Sequence, residues 1–268
     1  MSDQSVAAPS GLERMIRRDR LIIVLGLLAI LALLWSYLVT TGAGMRSMLG
    51  EAEMHAAMGM PEVQSWARDL FALFVMWAVM MVGMMLPSAA PLILLVLGVY
   101  RRRGDRHTRL NSLLFVGGYF LVWAMFSLVA AASQIVLHRA ALLSTDMAAR
   151  SKVLTAAILI IVGVYQWLPI KNTCLAHCRS PLDFLSRHWR EGLKGAVRMG
   201  FFHGLFCVGC CWALMTLLFV AGVMNLLWVA AIAVFVLVEK LSRQGPLFGR
   251  VAGALLITWG AYVLARAT

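Results

Sequence analysis

Four side chains with metal chemistry share one short stretch, HGLFCVGCCW at residues 203–212: His203, Cys207, Cys210 and Cys211. On an α-helix they project within about 100° of one another and form a single stripe. Thiolate and imidazole are soft or borderline ligands suited to Cu(I) or zinc. A single free cysteine is often only a small buried hydrophobe. Four such residues on one face, one of them an ionisable histidine in an apolar run, point instead to a site. One helix cannot close a coordination sphere alone, and Gly204 and Gly209 leave room for a partner to pack closely.

The stretch MWAVMMVGMMLPSAAP, residues 76–91, offers that partner. Met76, Met80 and Met84 recur at helical spacing, with Met81 and Met85 on the adjoining face. Thioethers favour Cu(I) and hold Mg or Ca poorly, although methionine is also a flexible filler of apolar cores. Pro87 and Pro91 cannot donate to the carbonyls of Gly83 and Pro87. Ser88 could satisfy one of those carbonyls, and a passing ion could use another.

A third cluster, KNTCLAHCRSP at residues 171–181, sets Cys174 and Cys178 one helical turn apart, with His177 able to join them. The basic neighbours Lys171 and Arg179 favour thiolate, the form that binds metal. Met45, Met48, Met54, His55, Met58 and Met60 form a fourth group that could collect a soft ion. His107, His138 and His188 read as isolated interfacial residues, and Glu239 with Lys240 as an interfacial ion pair.

These residues need elements to hold them. The chain has 268 residues, 62% hydrophobic and 13% charged, against about 25% charged in soluble domains. Apolar runs reach the roughly 20 residues needed to cross a bilayer. The expected fold is an all-α, polytopic transmembrane helix bundle of about seven spans: 21–39, 68–100, 111–137, 152–169, 198–221, 225–240 and 247–266. The second is too long for one straight crossing and is expected to kink or break at its prolines. Arg14, Arg17, Arg18 and Arg20 make residues 1–20 a basic cytoplasmic segment, and 21–268 form a single transmembrane domain. The run Leu21 to Val39 has no cleavage pattern and reads as a retained span.

Eighteen of the 24 Lys and Arg fall on one side of that alternating count. The positive-inside rule then makes the N-terminus cytoplasmic and the C-terminus external. The net charge of +12 is therefore a topology signal, not a nucleic-acid footprint. Cys210 and Cys211 fall about 18 Å along the fifth span, near mid-bilayer, with His203 shallower. Cys174 and Cys178 fall on the cytoplasmic side, where thiols stay reduced. No nucleotide-binding glycine motif is present, which argues against an ATP-driven pump.

The stretches MMVGMMLPSAAP, CLAHCRSPL, RMGFFHGLFCVGCCWALM, FVAGVMNLLW and VLVEK together resemble a family of bacterial integral-membrane proteins catalogued as predicted metal-binding, some described as copper chaperones. The resemblance runs from the second span through the sixth and leaves out the first span and the methionine loop. It implies a metal-handling function in the bacterial cytoplasmic (inner) membrane, with copper as the metal.

The reading is a Cu(I)-binding protein, without a catalytic step, that transfers copper to an acceptor protein, receives it from a donor protein, or moves it across the lipid bilayer, for cuproenzyme assembly or copper homeostasis. Its sites run inward from the methionine loop through Met76, Met80 and Met84, then Cys210 and Cys211, then Cys207 and His203, to Cys174 and Cys178. Sites in series suit an ion that must bind and still leave. The rivals are a membrane thiol-disulfide oxidoreductase, since Cys207 and Cys210 have C-x-x-C spacing, and a non-catalytic subunit of a membrane complex.

Overall fold

The computed structural model describes residues 25–26, 28–40, 66–140, 149, 151–223 and 225–267. The basic segment at 1–20 and the methionine group from Met45 to Met60 lie outside the described residues. What is described is all-α. Helix α1 covers Leu28–Thr40, α2 Trp66–Arg102 and α3 Thr108–Arg139. Then come α4 (Lys152–Tyr165), α5 (Pro169–Arg179), α6 (Pro181–His188) and α7 (Gly192–Thr216), which α8 (Leu218–Ala221) extends. Helices α9 (Leu226–Leu241) and α10 (Gly245–Ala265) close the chain.

Four of these segments are long and apolar enough to cross a membrane: Trp66–Arg102, Thr108–Arg139, Gly192–Ala221 and Gly245–Ala265. Helices α4 and α5 make a fifth if counted together, bent by 63°. Helix α9, with 16 residues, covers about 24 Å and falls short of a hydrocarbon core of about 30 Å. The outward surfaces are apolar: on α3, Leu113, Leu121, Met125, Val129 and Val136 are exposed, while Ser127 and Gln134 face inward. A water-soluble helix has the reverse arrangement, so this one suits a bilayer.

Of the kink or break expected at its prolines, helix α2 shows no break: it continues through Pro87 and Pro91. Ser88 does not serve the carbonyls that the prolines leave free. Its Oγ donates to the Met85 carbonyl at 2.9 Å, because a helical serine reaches back three or four residues and no further. Trp77 Nε1 donates to Gln134 Oε1 at 2.6 Å and ties α2 to α3 in the buried core.

Glycines bring the other helices into backbone contact. Gly200 and Gly204, four apart on α7, face α3; a Cβ at Gly200 would collide with the Phe115 carbonyl, and one at Gly204 would stand 2.9 Å from that of Tyr119. Gly118 on α3 lies as tightly against Val197. Between α4 and α10, Gly163 and Gly253 do the same, each 2.7 Å from the other's carbonyl oxygen once a Cβ is drawn. Small residues four apart let two backbones approach where no large side chain could fit. Helix α7 turns off at Gly222, whose φ of 87 suits glycine.

Candidate metal centre

The α3–α7 contact fixes the depth of the cysteine stripe. His203, Cys207, Cys210 and Cys211 are all buried. The Cys210 and Cys211 thiols donate back to the Cys207 carbonyl, at 3.1 and 2.9 Å. Those bonds aim the two sulfurs to either side of α7. Cys210 Sγ stands 3.9 Å from Cys178 Sγ on α5, and Cys211 Sγ stands 4.0 Å from Met85 Sδ on α2. At a metal–sulfur length of about 2.3 Å, two sulfurs sharing one ion stand about 3.8 Å apart at a tetrahedral angle and about 4.6 Å apart in a line. Both pairs fall in that range.

Between them, Cys207 Sγ lies 3.0 Å from Tyr119 Oη on α3. Lys240 Nζ, from the last turn of α9, donates to Cys207 Sγ at 3.0 Å and to Ser88 Oγ at 3.1 Å, and lies 4.0 Å from Met85 Sδ. Cys174 lodges against α7 where Gly209 has no side chain: a Cβ there would be 2.8 Å from its sulfur. The two cysteines of α5 share one face and meet the cysteine helix at a single level. Cys178 thus stands beside Cys210 rather than one step beyond Cys207 and His203, as the inward series required. Among the described residues, no three His, Cys, Asp or Glu side chains close a metal cage as they stand.

The remaining expected ligands are placed differently. Met76, Met80, Met81 and Met84 are buried in the core with Met85. His177 does not join the thiols: its ring stacks on Phe206 at 4.2 Å, and its Nδ1 is held at 2.9 Å by the Thr173 carbonyl. His203 packs against the rings of Tyr119 and Phe184, at 5.5 and 5.1 Å. Among the described residues its buried Nδ1 has no hydrogen-bond partner, a state that a native protein rarely leaves unexplained.

The charged neighbours also differ from expectation. Lys171 does not face the thiols; it pairs with Glu239 and Gln166 in a buried network beside Gly249. Arg179 donates to the carbonyls of Ser242 and Arg243, at 2.6 and 2.9 Å. Glu239 and Lys240 are therefore no pair. Adjacent residues on a helix point about 100° apart, so Glu239 turns to α5 while Lys240 turns into the sulfurs. His188, read as isolated, stacks on Phe184 at 4.8 Å, with the His177 ring 6.3 Å away. Tyr119 and Lys240 are the site residues that sequence reasoning missed. Tyr119 carried no metal-ligand signal, and the acidic neighbour of Lys240 suggested a nearer partner.

A family described as copper chaperone (PpoB2) matches residues 74–263. The match runs from within α2 to within α10 and takes in every residue of the sulfur cluster. No curated protein and no solved structure matches the chain.

Proposed function

The chain belongs to the PpoB2 copper-chaperone family, and from that premise we propose that it holds Cu(I) as cargo inside a membrane-embedded bundle and hands it to a partner protein. One observation carries this reading. Five sulfurs, those of half-buried Cys178 and of buried Cys207, Cys210, Cys211 and Met85, come together from three helices, with two pairs at the spacing of a shared ion. Such a set favours a soft monovalent ion and offers nothing to Mg or Ca. Met76, Met80, Met81 and Met84 line an approach along α2, with Cys174 and His203 flanking the cluster. The loop methionines collect the ion on the external side of the bacterial cytoplasmic membrane. Transfer along such ligands needs no catalytic step, and it serves cuproenzyme assembly or copper homeostasis.

Purified, reduced protein titrated with Cu(I) against a colorimetric Cu(I) chelator tests the reading. It should retain Cu(I) and Ag(I) in the presence of excess Mg and Ca. Protein that gives up all its Cu(I) to a weak chelator contradicts the reading. A thiol oxidoreductase would instead cycle a disulfide among these cysteines and lose that cycle when methionine replaces Cys210 and Cys211.

A further inference from the structure

Lys240 stands where the cargo should be. A buried ammonium needs a counter-charge or strong acceptors, and among the described residues Lys240 meets no carboxylate, since Glu239 is taken by Lys171. Its Nζ rests instead on Cys207 Sγ and Ser88 Oγ, at 3.0 and 3.1 Å, and near Met85 Sδ at 4.0 Å. Two of those three atoms are ligands of the proposed copper site. We infer that Lys240 is a built-in placeholder cation: it occupies the cluster when copper is absent, withdraws toward Ser88 when Cu(I) enters, and returns to displace the ion on transfer. This rests on the copper reading above and adds to it how the site lets go.

The exchange balances. The ammonium stays in the cluster on Ser88, which it already touches, so the charge that Cu(I) brings is balanced by the loss to solvent of one thiol proton from Cys210 or Cys211, and is restored when that proton returns on release. Apart from that S–H bond no covalent bond is broken, and no electron moves. A site of five sulfurs in a low dielectric would otherwise hold a soft ion too tightly for a carrier that must release it. A tethered competitor with a high local concentration solves that problem.

The test uses full-length protein in detergent, with Cu(I) as the probe and chelator competition as the readout for affinity and release rate. Lys240→Leu should bind Cu(I) about tenfold more tightly and release it correspondingly more slowly, because a charge-assisted contact no longer competes. Ser88→Ala removes the ammonium's alternative acceptor and should weaken Cu(I) binding several-fold. It is a mild change on a half-buried helical residue, and it keeps the test informative if Lys240→Leu folds poorly. Opposite signs for the two variants support the placeholder. Weaker or unchanged binding in Lys240→Leu, or unchanged binding in Ser88→Ala, overturns it while leaving the copper reading intact. Wild-type protein that takes up no Cu(I) overturns both.

Discussion

At the scale of single residues, the chemistry depends on where each sulfur is aimed. Replacing both Cys210 and Cys211 by serine keeps the bonds back to the Cys207 carbonyl, because a hydroxyl makes them as a thiol does. It removes one sulfur from each of the two close pairs. The double variant should keep wild-type thermal stability to within about 1 kcal/mol and lose most of its Cu(I), read by metal analysis after desalting; methionine at both positions should restore part of it. The ion pair of Lys171 and Glu239 makes the opposite case. Its side chains are 1% and 2% exposed, so Glu239→Gln strands a buried ammonium and should cost about 3–5 kcal/mol. Thermal unfolding measures it, and the double change Lys171→Met with Glu239→Leu should recover much of the loss. The stripe of His203, Cys207, Cys210 and Cys211 on one face of α7 was legible in the sequence because period and residue type together define it. The partner of Lys240 was not, since adjacency in sequence says nothing about which neighbouring helix each side chain meets.

At the scale of helices, the glycines decide whether the cluster assembles. Gly200 lets α7 touch α3 at Phe115, and that contact sets Cys207 beside Tyr119. Gly200→Val should separate the two helices, destabilise the protein by about 1–3 kcal/mol through overpacking and lower Cu(I) occupancy together with stability. Gly117 is the control: a Cβ there meets nothing within 4 Å, so Gly117→Ala should leave copper binding unchanged and gain up to about 1 kcal/mol from helix propensity. Equal effects of the two changes in a melting and metal-retention assay would refute the role given to the close contact. The sequence foretold close packing at Gly204 and Gly209 but not the identity of the neighbours. It paired the cysteine helix with the methionine helix, whereas α7 lies chiefly along α3 and α5 and reaches α2 through Met85. Nor did it reveal that α5 leaves α4 at a 63° bend and packs along α7, which makes the Cys174–Cys178 turn a wall of the site.

At the scale of the whole molecule, an apolar exterior around a core of sulfur and charge suits a protein that carries an ion through a bilayer. The alternation of basic residues predicts that α6 lies on the cytoplasmic side. A cysteine introduced at exposed Ser186, with the native cysteines replaced by serine, should react with a membrane-impermeant maleimide only in inverted vesicles. One introduced at exposed Ala140 should react only in intact cells or spheroplasts. The reverse pattern would turn the transfer path around. The central claim is that the clustered sulfurs of α2, α5 and α7 hold the copper. X-ray absorption at the copper edge of the loaded, reduced protein tests it most directly. The account predicts a Cu(I) edge with a shell dominated by sulfur at about 2.3 Å, abolished in the Cys210→Ser, Cys211→Ser protein. A shell of nitrogen and oxygen alone, or a sulfur shell that survives the double substitution unchanged, would contradict it.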